Sequence, residues 1–318
     1  MMSVKKVTRV AAGILVRPDG QFLLSSRPAG KVYAGYWEFP GGKLEENESA
    51  LAALQRELHE ELGIRVTAAR PWICQRFEYP HATVELRFFI VTAWEGELHS
   101  REAQQFAWQR VGQLTQSPIL PANGPILRGL ALPQRLLISP GATLPAAQWL
   151  TKMAHYWQTE PAWLVLREPQ CSEEEYRALF TQLLQIPRPH GGKLLVHGPH
   201  GASYAGEADG WHLTSTQLSA LDQRPRGFDW IGASCHNESQ LAAANQLGLD
   251  YTLLGHVAST ASHPQQPPLG WEEFTRLLAL GWAAPCYAIG GQRVSTLPQA
   301  HAAGAHGVAV LRDAWISE

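Results

Sequence analysis

Glu57, Glu60 and Glu61 stand at i, i+3 and i+4, so a helix through them would gather three carboxylates on one side of its last turn. Leu51, Leu54, Leu58 and Leu62 share a stripe of the same period, which predicts a helix from about Glu48 to Leu62 with that face buried. Asn47 is placed to serve as its N-cap and Gly63 as a left-handed C-cap. The acids are badly placed for a lone helix. Near a C-terminus each opposes the macrodipole at a cost of roughly 0.3–1 kcal/mol, and like charges four apart repel further. A divalent cation held by hard oxygen ligands would compensate. Arg56 precedes the first acid and can reach Glu60 at i+4 or tie the preceding loop to the helix. The plainer reading is a solvated acidic face, which is what most charge runs are.

The elements that must position these acids follow from the flanking pattern. Segments 7–16 and 21–26, joined by Arg17-Pro18-Asp19-Gly20, read as a β-hairpin with Arg27 just after its second strand. Trp37-Glu38-Phe39-Pro40-Gly41-Gly42 brings the chain to the helix, its glycines allowing a close approach of backbone to a cation or phosphate. Beyond the helix, 64–66, 72–79, 83–94 and 104–111 read as strands, and a final short helix runs from Pro121 to about Leu130. This is an α+β sandwich of helices around a mixed sheet.

Gly42, Glu48, Arg56-Glu57-Leu58, Glu60-Glu61 and Gly63-Ile64 fill every specified position of the Nudix box. The segment therefore resembles the Nudix hydrolases, which implies a loop-helix-loop holding divalent metal against the diphosphate of a nucleoside-diphosphate-linked substrate. From about Val7 to Leu130 the chain also looks like the MutT-type branch, the 8-oxo-dGTP diphosphatases. Outside the box the likeness is carried by Arg27, Trp37 to Gly42, Phe77-Glu78-Tyr79-Pro80, Trp94 to Glu97, Glu102 and Pro121-Ala122-Asn123. It implies Mg2+, with Mn2+ as a substitute, held by the Gly41 carbonyl, Glu57, Glu60, Glu61 and Glu102. It also implies Arg27 near the phosphate or nucleotide, Phe39 and Tyr79 along the base pocket, and Asn123 reading an oxidised purine through its amide. Asn carries both donor and acceptor and so can test a changed base edge. Asn123 could instead cap the helix that follows, and Phe39 and Tyr79 could be core residues. His81 and Ala82 stand where the branch often has an Asp-Arg pair. In the implied chemistry water attacks the β-phosphorus, giving a nucleoside monophosphate and pyrophosphate, with Glu57 or another acid of the shell as general base.

With 318 residues the chain is too long for one such sandwich and predicts two domains, 1–132 and 133–318. A net charge of −2 with 45% hydrophobic residues reads as globular, without the basic excess that polymeric nucleic acid requires. No apolar stretch approaches the ~20 residues of a membrane span. The early apolar run 10–16 ends in a turn and reads as a strand, not a signal segment. Cys74, Cys171, Cys235 and Cys286 lack metal spacing and read as reduced thiols of a cytosolic protein.

After Pro133 short apolar strands alternate with helical stretches, giving eight strand-helix units and a compact (β/α)8 barrel with functional residues at strand C-termini. From about 134 to 318 this half resembles the thiamine phosphate synthase and thiazole tautomerase superfamily. The carriers are Leu166-Arg167-Glu168, Ala208 to Leu213, Gly232-Ala233-Ser234-Cys235-His236, Asp250-Tyr251, Leu254-Gly255-His256-Val257, Ala288 to Gly291 and Ala303 to Val310. The resemblance implies a phosphate bound at Arg167, Ser234, His236, Gly290 and Gly291, with a thiazole or thiamine phosphate as ligand. It gives His256 the part of a proton shuttle, although a histidine at a strand end is also commonly structural. Four departures speak against synthase activity: Pro169 and His263 replace lysines, and His197-Gly198 and Gln217 replace the metal-binding Asn-Asp pair and second Asp. Three readings of the whole stand side by side: nucleotide-pool sanitation with a fused ligand-binding barrel; Nudix cleavage of thiamine diphosphate-type substrates coupled to the barrel; and a barrel that senses a phosphate ligand without catalysis.

Overall fold

The computed structural model describes residues 7–78, 83–100, 104–260 and 266–315. Two compact units divide it, Met1–Leu132 and Pro133–Glu318.

In the first unit β1 (Val7–Leu15) is followed by β2 (Phe22–Ser26), β3 (Trp37–Glu38), β4 (Gly41–Lys43), α1 (Ala50–Leu62), β5 (Arg65–Glu78), β6 (Thr83–Glu95), β7 (Phe106–Gln109) and α2 (Gly124–Leu130). The strands form two sheets, β4-β1-β6-β5 and β3-β2-β7, with β1 and β6 parallel. Alternation along β1 and β6 explains the sandwich. Ala11, Leu15, Phe89 and Val91 face the leucines of α1, whereas Ala12, Ile14, Phe88 and Ile90 face Ile126 of α2.

The expected hairpin is not a ladder. β1 and β2 lie in different sheets, linked only by the Val16–Phe22 bridge beside the Arg17–Gly20 turn. The turn forms as its residues dictate, but each strand pairs elsewhere, β1 with β6 and β2 with β7. The strands expected at 64–66 and 72–79 are one, β5, which keeps its pairing with β6 through bulges between Val66 and Ile73.

Helix α1 is capped by Ser49, whose Oγ accepts from Ala52 N, and not by Asn47, which takes a left-handed φ of 63° in the turn before it. Gly63 closes the helix at φ 73°. Leu54, Leu58 and Leu62 are fully buried, while Leu51 in the first turn is 39% exposed. Three such leucines stabilise by roughly 1.5–3 kcal/mol each. That outweighs the dipole cost of the acids.

The second unit is a closed barrel of eight parallel strands. They are β8 (Arg135–Ile138), β9 (Trp163–Leu166), β10 (Lys193–His197), β11 (Gly210–Leu213), β12 (Trp230–Cys235), β13 (Tyr251–Gly255), β14 (Cys286–Ile289) and β15 (Gly307–Val310). All eight were expected from the sequence. After β10 the chain makes a 3-10 turn, Gly198–Tyr204, in place of an α-helix. No helix among the described residues is long and apolar enough to cross a membrane. The cysteines are free, and burial pushes the Cys286 thiol up to about 12 and that of Cys74 to about 11.

Candidate functional site

In the first unit the acids of α1 meet the backbone of β4, which runs antiparallel to β1 with Gly41 opposite Ala12 and Gly42 opposite Ala11. Gly41 has φ 144°, and a Cβ there would lie 2.1 Å from the Ala11 carbonyl oxygen. At Gly42 a Cβ would lie 2.1 Å from the Glu57 carboxyl carbon. Only glycines let the loop pass so close over the carboxylate.

Glu61 is buried at 7% exposure and accepts from Gly41 N at 3.3 Å and from Gln104 Nε2 at 3.2 Å. Arg56 holds the rest. Its guanidinium donates to both Glu48 oxygens at 3.0 and 2.9 Å, to Glu57 Oε1 at 2.9 Å, to Glu60 Oε2 at 3.4 Å and to the Lys43 carbonyl at 3.0 Å. The hydrogen bonds it donates to Glu48, then to Glu57, hold the guanidinium above its usual range, and the bond from Arg56 holds Glu48 below the usual carboxylate range. Glu48, Glu57 and Glu60 thus share Arg56, while Glu61 is held by Gly41 and Gln104.

No three His, Cys, Asp or Glu side chains among the described residues converge as a ready-made cage, because the acids bear on Arg56. The donor set nevertheless suits a hard divalent cation. Gln104 Oε1 is buried beside Glu61 without a hydrogen-bond partner among the described residues, and the glycine loop leaves no side chain between backbone and Glu57. Gln104 was not singled out from sequence, where it marked only the start of a strand.

Of the residues expected at the nucleotide, Arg27 donates to Glu38 Oε2 at 2.5 Å and to the Val32 carbonyl at 2.8 Å. Burial raises the Glu38 carboxyl, and Arg27 works against that rise. Phe39 is 4% exposed, its ring 5.8 Å from Phe22 and 6.0 Å from Phe88. It is a core residue here and presents no open stacking face. Tyr79, Glu102, His81 and Ala82 lie outside the described residues. Asn123 ends a single 3-10 turn, Pro121–Asn123, that leads into α2. It is 3% exposed and makes no side-chain cap, so the capping role is not realised. Its Nδ2 is buried with no partner among the described residues.

In the second unit a cavity of about 390 Å³ opens at the C-terminal ends of the barrel strands. Arg167, Ser234, His236, His256, Gly290 and Gly291 all line it, as do Arg312, Thr214 and Gln292, which sequence reasoning passed over. Gly290 has φ 94° and leaves room for His256, since a Cβ there would lie 2.3 Å from the His256 Cβ. His256 Nε2 lies 3.2 Å from the Gln266 carbonyl and so carries its proton on that nitrogen; His236 Nδ1 faces the Gly255 carbonyl at 2.5 Å. Gln217 is spent on a capping box with Thr214.

Behind Ser234 the barrel interior is polar. Tyr251 Oη lies 3.0 Å from His212 Nδ1, and His212 Nε2 lies 3.0 Å from Ser234 Oγ. Burial drives the Tyr251 phenol well up and the His212 imidazole well down, so both stay neutral. A buried phenol proton needs an acceptor, so Tyr251 donates to Nδ1 and His212 donates from Nε2 to Ser234.

Comparison with known proteins gives each unit its relatives. Residues 7–130 match the family profile described as NUDIX domain, and residues 136–314 match that described as Thiamine monophosphate synthase. An "8-oxo-dGTP diphosphatase" of Haemophilus influenzae is 38% identical over 126 residues, covering 40% of this chain and 93% of its own. The chain joins a Nudix hydrolase to a barrel of the thiamine monophosphate synthase family. A "CTP pyrophosphohydrolase" of Escherichia coli is 39% identical to the Nudix unit over 122 residues, 38% of this chain and 90% of its own. A "Thiamine-phosphate synthase" of Coprothermobacter proteolyticus is 30% identical over 149 residues, 46% of this chain and 70% of its own.

The synthase-family barrel carries its own pH dependence. Burial first, then Arg167 and His200, push His197 down to about 4, and His212 lies well below 6.5. The unfolded chain takes up protons at these rings below about pH 6.5, whereas the folded barrel refuses them until about pH 4. Stability is therefore unaffected above 6.5 and falls as the pH drops towards 4. His197 alone should remove roughly 1–2 kcal/mol by pH 5. Scanning calorimetry at pH 7.5 and 5.0 should show the barrel transition several degrees lower at pH 5.0, and His197→Asn should narrow that gap.

Proposed function

We propose that the Nudix unit hydrolyses oxidised purine nucleoside triphosphates, converting 8-oxo-dGTP to 8-oxo-dGMP and pyrophosphate with Mg2+. The observation that carries this reading is the Asn123 amide, buried, uncapped and with Nδ2 unpartnered among the described residues. Such a donor is costly unless a ligand meets it. The relatives' names support a pyrophosphohydrolase and differ in base, one being named for 8-oxo-dGTP and another for CTP.

Glu57, Glu60, Glu61 and the Gly41 carbonyl would hold the metal, together with Glu102, and Gln104 Oε1 supplies a further neutral oxygen. When bound, the metal would neutralise phosphate charge and lower the pKa of water. Arg56 keeps the acids of α1 aligned beneath the glycine loop. Gln104 fixes Glu61 through its Nε2 and so sets which carboxylate oxygen faces Gly41. One acid of this cluster takes the proton of the attacking water. Asn123 Nδ2 donates to the base.

The barrel binds a phosphorylated small molecule at Arg167, Ser234, His236 and the Gly290-Gly291 turn, and synthase activity is absent. Gln217 supports this, since its side chain closes a helix N-terminus. A thermal-shift screen of the full chain with thiazole phosphate and thiamine phosphate tests the barrel, because a ligand stabilises what it binds.

The test of the Nudix reading is pyrophosphate release from 8-oxo-dGTP, dGTP and CTP at equal concentration. A kcat/KM for 8-oxo-dGTP well above the other two is expected, and equal turnover of 8-oxo-dGTP and dGTP would end the sanitation reading.

A further inference from the structure

Among the described residues the barrel cavity is lined by two guanidinium groups, Arg167 and Arg312, and by no aspartate or glutamate. Each arginine has a carboxylate beside it in sequence, yet both carboxylates turn to backbone N–H groups. Glu168 Oε1 accepts from Gly141 N at 3.2 Å, and Asp313 Oδ2 accepts from Val294 N at 3.1 Å. Neither guanidinium is therefore ion-paired among the described residues. Two like charges lining one space repel, and an anion between them reverses the sign of that term.

The Asp313–Val294 bond also ties the segment of Arg312 to the loop that follows the Gly290-Gly291 turn, and β14 and β15 are neighbours in the barrel. The loop after β13 closes on the same turn, since a Cβ at Gly291 would lie 2.9 Å from the Ala258 Cβ. Thr260 of that loop lines the cavity, and its Oγ1 is buried with no partner among the described residues. Arg167 follows β9, three strands from β14 around the closed barrel. The cavity thus has a cation at the glycine turn and a second one away from it.

We propose that the barrel cavity takes a ligand with two phosphoryl groups and holds it by guanidinium groups in place of a metal ion. The inference rests on the reading of the barrel as a phosphate-binding unit and deepens it. One phosphoryl group lies at the Gly290-Gly291 turn with Arg312 and Thr260, and the other meets Arg167. A hard divalent cation needs oxygen ligands, carboxylates above all, and this lining offers no carboxylate. At the positions of the family's metal ligands stand His197-Gly198 and Gln217, whose Oε1 accepts from Thr214 N at 3.0 Å. A guanidinium brings its own charge and a donor fork that matches phosphate oxygens.

The experiment is isothermal titration calorimetry on the full chain in EDTA, with inorganic phosphate, pyrophosphate and ethylene glycol bisphosphate as probes. One of the two larger probes should bind about tenfold tighter than phosphate or better, pyrophosphate if the two groups are joined and the bisphosphate if they are spaced. Arg312→Gln should weaken phosphate and the better probe alike by about tenfold, whereas Arg167→Gln should weaken the better probe by as much and leave phosphate nearly unchanged. Equal affinity for all three probes, binding that needs Mg2+ in place of EDTA, or binding that survives Arg312→Gln overturns the inference, while a thermal shift with an organic monophosphate would leave the phosphate-binding reading standing. A full chain that takes none of the probes and no organic phosphate overturns both. Circular dichroism is the folding control, and should Arg312→Gln not fold, Arg312→Met is measured in its place with the same expected loss.

Discussion

Glu57→Gln should reduce pyrophosphate release from the best nucleotide substrate by on the order of a thousandfold, the scale of losing one charged group from a preorganised electrostatic site. The substitution keeps the shape of the side chain. Gly42 packs against the Glu57 carboxyl, where a Cβ would lie 2.1 Å away, so a bulkier change would move the loop and blur the result. The amide retains an oxygen to accept from Arg56, whose Nη1 now meets Glu57 Oε1 at 2.9 Å. Folding should be little disturbed, since the helix is held by the buried Leu54, Leu58 and Leu62. Steady-state assays across a Mg2+ and Mn2+ titration, with circular dichroism as the folding control, check this. A variant as active as the unmodified chain would remove Glu57 from the reaction.

Asn123→Leu should separate function from stability in the opposite direction to most core substitutions. A buried donor with no partner costs about 1–3 kcal/mol, so replacing it with an apolar side chain of similar volume is expected to leave the melting temperature unchanged or raise it. The same change should lower kcat/KM for 8-oxo-dGTP by about 10²-fold while dGTP loses much less, because on the proposed reading the hydrogen bond it removes goes to the base. Differential scanning fluorimetry and paired kinetics on the two nucleotides decide it. A clear loss of stability would return Asn123 to a purely structural part.

The barrel was legible almost strand by strand, because each of its strands is a short apolar run bounded by turn residues and pairs with a neighbour one unit away in sequence. The acid-bearing helix was legible for a similar reason: its period, its acids and Gly63 are all local signals. What failed was non-local. The Arg17–Gly20 turn is real, yet which partner β1 and β2 each pair with depends on β6 and β7 far along the chain. Asn47 and Ser49 are both good caps, and the choice fell to Ser49 because the turn needs a left-handed residue at 47. Phe39 could not be assigned to pocket or core until its neighbours Phe22 and Phe88 were known. Gln104 carries no motif at all. Its interest comes from what its amide oxygen lacks, and only three-dimensional packing discloses that.

The Tyr251–His212–Ser234 chain bears on what the barrel mouth can admit. With the phenol spending its proton on the imidazole and the imidazole spending its own on the serine, the hydroxyl at the end of the chain has one lone pair engaged and its own hydrogen free to turn outward. Tyr251 and His212 thus free the Ser234 proton for a lone pair arriving at the mouth, so two side chains that a guest never touches help set how it is met.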